Sequence, residues 1–261
     1  MTRLDLELVN RKIFETRNKS QNEIKNGIVY VNNKRITKSS FDVSDKDFIE
    51  IKGQPLKYVS RGGLKLEHAI KEFNLDLSGK TMIDIGSSTG GFSDCAIHYG
   101  IEKIYAIDVG SNQFSEKLKN NEKIHLYENT DFRNINNNII KDANFCTIDV
   151  SFISITKLIS KIKELNLEEI ICLVKPQFEC GIDISNKYKG VPLDKNVHFE
   201  VINIVVDSFK EINYYLNNMT YSPIKGGNGN IEYLAYFTKD KTNTNNVNYK
   251  DLIDKAFKTL N

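Results

Sequence analysis

Between residues 81 and 237, short β-prone runs alternate with stretches of helical periodicity, and that alternation constrains the fold more than any other feature of the chain. Candidate strands cover 81–85, 103–108, 124–127, 145–149, 170–174 and 233–237; candidate helices lie near 61–73, 92–99, 155–165 and 195–211. Strands separated by helices cannot pair as hairpins. The pattern therefore predicts an α/β fold, a mostly parallel sheet with helices on both faces. In such sheets ligands bind beyond the carboxyl ends of the strands, so the residues that follow each strand are the candidates for function.

The first strand, Met82-Ile83-Asp84-Ile85, runs into Gly86-Ser87-Ser88-Thr89-Gly90-Gly91-Phe92 and a helix. Glycines at such a turn let the backbone approach a ligand closely. The G-x-x-x-G-G spacing is neither the dinucleotide fingerprint nor a phosphate-cradling P-loop, and Asp84 ahead of it would repel a pyrophosphate. Asp108 closes the next strand, where a carboxylate reaches ribose hydroxyls. Asp131-Phe132 follows the third strand, a polar and an apolar group suited to an adenine. The reading is a nucleoside site whose ligand carries an ammonium rather than phosphates, and S-adenosylmethionine fits. The loop resembles the first motif of the Rossmann-like methyltransferases, with Asp84, Gly86, Ser87, Ser88, Thr89, Gly90, Gly91, Phe92, Asp108, Val109, Asp131 and Phe132 as the cofactor set.

Methyl transfer from a sulfonium to a poor nucleophile needs alignment and a base. Asp149 ends the fourth strand in Ile148-Asp149-Val150-Ser151-Phe152, and Lys175 ends the fifth in Leu173-Val174-Lys175-Pro176-Gln177-Phe178-Glu179. Lys65 lies on the helix before the first strand. Glu232 precedes the last strand, after Lys225-Gly226-Gly227-Asn228-Gly229-Asn230. Singly, each of these is an ordinary surface residue. In this order and these contexts, Lys65, Asp149, Lys175 and Glu232 resemble the tetrad of the FtsJ-like ribose 2′-O-methyltransferases.

The resemblance narrows to one family. Ser60-Arg61-Gly62-Gly63-x-Lys65-Leu66, Asp84-x-Gly86-x-Ser88-Thr89-Gly90-Gly91-Phe92, Ala106-x-Asp108-Val109-Gly110, Asp149-x-Ser151-Phe152-Ile153-Ser154, Leu173-Val174-Lys175-Pro176-Gln177-Phe178-Glu179 and Gly229-Asn230-x-Glu232-Tyr233 resemble the TlyA family. The resemblance implies a seven-stranded sheet and methylation of cytidine 2′-hydroxyls in ribosomal RNA, within subunits or assembly intermediates. It further implies Lys175 as base, Asp149 orienting it, Lys65 lowering its pKa by like-charge repulsion, and Glu232 completing the network. Members of the family have also been called haemolysins.

The first 65 residues carry 14 Lys/Arg against 8 Asp/Glu, whereas the chain as a whole has 36 against 34. A basic head on an acidic body points to an acidic polymer as partner. Its pattern is a helix near 5–12, a second helix from the Thr16 cap to Gly27, and strands at Ile28–Val31 and Phe48–Ile51. The pattern resembles the alpha-L RNA-binding module that pseudouridine synthases also carry, an α+β domain. Arg3, Arg11, Arg17, Lys19, Lys34 and Arg35 are its RNA-binding candidates, and Arg61, beyond the module, is a further one. The expected division is 1–54 for this module, 55–60 for a linker, 61–240 for the methyltransferase domain, and 241–261 for a polar tail ending in a short amphipathic helix.

Cys95, Cys146, Cys172 and Cys180 form no C-x-x-C and no zinc spacing, so no metal is expected. The first residues contain no apolar signal core, and no run of about 18 apolar residues occurs. With four free thiols, the expectation is a cytoplasmic protein. Three competing readings are base methylation, a haemolysin-like membrane-active protein, and an RNA-binding protein with an inactive methyltransferase fold. The prolines of Asp-Pro-Pro-Tyr/Phe are missing after Asp149, and no Pro-Cys nucleophile is present. An intact tetrad and glycine loop speak against the inactive form.

Overall fold

The computed structural model describes residues 1–53, 55–243 and 246–260. Gln54, at the expected module boundary, and Thr244, Asn245 and Asn261, in the expected tail, lie outside the described residues. The chain divides into two compact units, Met1–Arg61 and Gly62–Asn261.

In the first unit, β1 (Thr2–Arg3) leads directly into α1 (Leu4–Asn10), and α2 (Arg17–Asn26) follows. The Thr16 hydroxyl accepts from the Lys19 amide and Gly27 closes α2 in the left-handed region, the two caps read from sequence. β2 (Val29–Val31), β3 (Lys34–Arg35) and β5 (Ile49–Ile51) form a three-stranded antiparallel sheet, and β4 (Asp42–Val43) pairs with β1. The strands β1, β3 and β4 were not expected; each spans two residues, too few to show a period. Leu4, Leu8, Phe14, Ile24, Ile28, Val29, Val31 and Val43 form the core.

The second unit is the expected α/β domain. Its elements are α3 (Gly62–Glu72), β6 (Thr81–Ile85), α4 (Gly91–His98), β7 (Lys103–Ile107), α5 (Glu116–Lys119), β8 (Ile124–Tyr127), β9 (Phe145–Ile148), α6 (Ile159–Lys163), β10 (Glu169–Val174), α7 (Pro176–Glu179), α8 (Ile182–Lys187), α9 (Lys195–Lys210), β11 (Tyr215–Tyr221), β12 (Tyr233–Thr238) and α10 (Tyr249–Leu260). The sheet order is β11-β12-β10-β9-β6-β7-β8; β12 runs antiparallel to both neighbours and the other pairs are parallel. The chain winds outward from β6 to β8 and then returns to β9 on the other side. The carboxyl ends of β6 and β9 therefore flank the crevice where such folds bind ligands.

Alternate strand residues go to opposite faces. Ile83, Ile85, Tyr105, Ile107, Cys146 and Ile148 share one core with Ile159, Ile162, Val201, Val205 and Phe209. Leu252, Ile253 and Ala256 of α10 enter the same core, so the amphipathic end of the expected tail is part of the domain. The expected helix at 155–165 is a 3₁₀ turn, Ile155–Leu158, followed by α6. Among the described residues no helix is long and apolar enough to cross a membrane, and no group of three or more His, Cys, Asp or Glu could hold a metal ion.

Candidate active site

The loop after β6 is built by the backbone. Gly86, Ser88 and Gly90 have φ of 81°, 47° and 86°, a run of left-handed conformations that turns the chain sharply into α4. A Cβ on Gly86 would stand 2.6 Å from the Asp149 carbonyl oxygen. Only glycine lets the loop lie this close to the end of β9. The Gly86 and Ser87 amides donate to the Ile107 carbonyl, fixing the loop across β6 and β7.

Lys65, Asp149, Lys175 and Glu232 line one cleft of about 470 Å³ together with Gly86 and Ser88. Lys175 caps the start of α7, and Pro176 occupies the first helical position, where no amide donor is needed. Lys175 Nζ stands 2.6 Å from Asp149 Oδ1 and donates to Ser151 Oγ at 3.0 Å. Lys65 Nζ stands 2.5 Å from Glu232 Oε2, and Gln177 Nε2 donates to Glu232 Oε1 at 3.1 Å. All four side chains are largely buried, Asp149 least, so each charge needs the partner it has. The two lysines are matched to two different carboxylates.

An aromatic edge borders the cleft. Phe152 is 92 % exposed, sits at φ 67°, and its ring lies 5.2 Å from that of Phe178. Asn228 and Asn230 also line the cleft, and Asn230 Nδ2 donates to the Gly190 and Gly227 carbonyls. A Cβ on Gly226 would strike the Glu232 carboxylate, so this glycine makes the room that Glu232 occupies.

The cofactor candidates divide. Ser88 is exposed, Gly86 and Thr89 are half-buried, and Ser87 is buried with a hydroxyl oxygen that has no hydrogen-bond partner. Asp108, half-buried, accepts from the Ser88 amide at 2.8 Å and the Gly110 amide at 2.7 Å, and Val109 is 72 % exposed. Asp131 is held by Arg133, whose hydrogen bonds keep its carboxyl below the usual range. Three expectations are corrected. Asp84 is fully buried and accepts from Ser93 Oγ at 2.6 Å and Thr147 Oγ1 at 2.9 Å; it ties β6 to α4 and β9 rather than facing an ammonium. Burial pushes its carboxyl up to about 6. Phe132 belongs to the core, and Phe92 is buried at the start of α4, so neither ring is offered to a ligand. Gly90 and Gly91 are likewise buried and serve the turn.

The basic candidates of the first unit divide as well. Asp5 is fully buried and accepts from Arg3, Arg17 and Gln21; the Arg3 hydrogen bond leads in holding its carboxyl far below the usual range. Arg11 donates to Glu7 and to the Asp47 and Ser44 carbonyls, and Lys19 pairs with Glu23. All four make internal pairs, although Arg17 is still exposed and Arg3 partly so. Lys34, Arg35 and Arg61 are exposed.

Ser151, Phe152, Gln177 and Glu179 stand within the motifs quoted from the sequence, yet no separate role was expected of them. Their partners lie on other strands or loops and leave no local signal.

Comparison with known proteins identifies the family. Residues 58–239 match the FtsJ-like methyltransferase family and residues 2–49 match the S4 domain. A Bacillus subtilis protein provisionally named an rRNA methyltransferase is 44% identical over 239 residues, 90% of this chain and 84% of its own. The 23S rRNA (cytidine-2′-O)-methyltransferase TlyA of Campylobacter jejuni is 38% identical over 252 residues, 89% of this chain and 98% of its own. A solved structure from Streptococcus thermophilus, provisionally described as a hemolysin, superposes with a TM-score of 0.77 at 34% identity, covering 98% of this chain and 96% of that one. The chain belongs to the TlyA family of FtsJ-like methyltransferases, with an S4 domain ahead of the methyltransferase domain.

Proposed function

We propose that this protein methylates a ribose 2′-hydroxyl of ribosomal RNA, that of a cytidine, using S-adenosylmethionine. The observation that carries the reading is the Lys175–Asp149 pair, set beside Lys65–Glu232 in one cleft at the carboxyl end of the sheet. A ribose hydroxyl is a poor nucleophile, and a side-chain amine in its neutral form, oriented by a carboxylate, can take its proton.

The residues present fit the cofactor. The left-handed loop leaves backbone at close range, and the unpartnered Ser87 hydroxyl and the Asp108 carboxylate are groups that can hydrogen-bond an amino-acid end and ribose hydroxyls. S-adenosylmethionine supplies an electrophilic methyl group when bound.

Once its own proton has been released to solvent, Lys175 Nζ takes the ribose proton; its two remaining N–H groups donate to Asp149 and Ser151 and so fix the direction of its lone pair. Lys65, held by Glu232, donates to the ribose and places it. The exposed Phe152 ring is a face on which the nucleotide's base stacks. Alignment and exclusion of water in the cleft supply much of the rate. The first unit holds RNA by phosphate contacts from Lys34, Arg35 and Arg61, which position the substrate without reading sequence. Its RNA lies in a ribosomal subunit or an assembly intermediate, which places the reaction in the cytoplasm.

Label transfer tests this. Purified protein is incubated with methyl-labelled cofactor and free rRNA, small subunits or large subunits, and the label is mapped by mass spectrometry. Ribose label on cytidine, lost in Lys175→Ala, is the expected result. Label on a base overturns the reading.

A further inference from the structure

The turn after β9 and the helix after β10 carry the two members of the proposed base pair, Asp149 and Lys175, and a half-buried carboxylate outside that pair joins them. Glu179 ends α7. Its Oε2 accepts from Ser154 Oγ at 2.6 Å and its Oε1 accepts from the Ile155 amide at 2.9 Å. Both donors sit at the far end of the turn that begins at Asp149 and carries Ser151 and Phe152. The 3₁₀ helix Ile155–Leu158 starts there, and the Glu179 carboxylate engages its first amide.

The turn needs such a hold. Phe152 occupies the left-handed region at φ 67°, which an aromatic residue adopts only when its surroundings impose it. Its ring is 92 % exposed, so packing of the side chain does not impose it. The turn is fixed instead at its two ends. At the start, the Asp149 amide donates to the Ile85 carbonyl at 2.9 Å. At the end, Glu179 holds Ser154 and Ile155.

We propose that Glu179 is a positioning residue for methyl transfer, fixing the Asp149–Ser154 turn against the helix that follows Lys175. The proposal rests on the reading of Lys175 as base. Glu179 touches neither substrate nor cofactor. It acts by keeping Asp149 Oδ1 and Ser151 Oγ where they meet Lys175 Nζ. A displacement of about 1 Å at that contact costs on the order of 100-fold in rate.

Steady-state kinetics of the full-length protein with three substitutions test this. Gln can accept from Ile155 with its carbonyl oxygen and donate to Ser154 Oγ with its amide, so both links survive without charge. Asp keeps the charge and is one methylene too short to reach both donors. The expected result is turnover within about threefold of wild type for Glu179→Gln, and a fall of about 30-fold for Glu179→Asp and Glu179→Ala, with cofactor KM within about threefold throughout. The order Gln above Asp is the signature of positioning. A role of the charge on Lys175 gives the reverse order, and that outcome overturns the proposal. Turnover of Glu179→Asp equal to wild type overturns it as well. Should Glu179→Ala fail to fold, the Gln and Asp variants decide. The position of the label, ribose or base, tests the reading of the reaction separately, because the ratio among the variants is measured on whichever product forms. Absence of methyl transfer by the wild-type protein overturns both.

Discussion

Lys175 Nζ lies 2.6 Å from Asp149 Oδ1, across the ends of two adjacent parallel strands. Lys175→Ala and Asp149→Asn are expected to lower turnover by at least about 100-fold, the range of a lost general base or its orienting partner. Neither residue belongs to the glycine loop, so S-adenosylmethionine affinity, measured by calorimetry, should hold within about threefold. Turnover near wild type in Lys175→Ala would remove the base from the mechanism.

Gly226 has an ordinary φ of −69°, so alanine is tolerated by the backbone there. Its Cβ would nevertheless strike the Glu232 carboxylate, whose other partners are Lys65 and Gln177. Gly226→Ala should displace Glu232 and lower turnover by about 30-fold. Because Glu232→Asp acts on the same ion pair, the double variant should lose much less than the product of the two single losses. A double-mutant cycle on turnover checks this, and multiplicative losses would place the effect of Gly226 elsewhere.

These relationships show where sequence reasoning reached and where it stopped. Asp149 and Lys175 were legible because each follows a run of β-branched and apolar residues, and a parallel sheet brings strand ends to one edge. The choice of partners was not, since Lys65 and Glu232 are 167 positions apart and nothing local couples them. Asp84 and Phe132 misled for a related reason. A position beside a strand end does not say whether a side chain faces the cleft or the core. β11 escaped because Asn217 and Asn218 are poor strand formers and a register shift between Leu216 and Asn218 breaks the alternation. The caps Thr16 and Gly27 were read correctly, because capping is decided within a few residues.

Asp84 gives the protein a pH dependence of stability. Its carboxyl is raised by burial from 3.8 in an unfolded chain to about 6 in the fold. A raised acid favours the folded state while it is protonated. That contribution is complete below pH 3.8 and is lost as pH rises through 6, a cost of about 3 kcal/mol above both values. Asn at this position can still hydrogen-bond both the Ser93 and Thr147 hydroxyls and carries no charge. Asp84→Asn should therefore raise the urea midpoint at pH 8 and leave it unchanged at pH 4. Equal midpoints at pH 8 would mean that Asp84 is not paying a desolvation cost.

In the first unit, Arg11 is built into the fold whereas Lys34 and Arg35 face solvent. Arg11 donates to Glu7 and to two carbonyls of the segment before β5, so Arg11→Ala leaves acceptors without donors and should cost about 1–3 kcal/mol. Lys34 and Arg35 are exposed on a two-residue strand, and their replacement by Ala should leave thermal unfolding unchanged. RNA affinity should respond in the opposite order. Each phosphate contact removed lowers the slope of log affinity against log salt by about 0.7–0.9, so the double variant Lys34→Ala/Arg35→Ala should bind rRNA more weakly at low salt and with a shallower slope. Arg11→Ala, assayed well below its melting temperature, should keep the wild-type slope. Filter binding across a salt series measures both, and an unchanged slope in the double variant would move the RNA contact to another face of this unit.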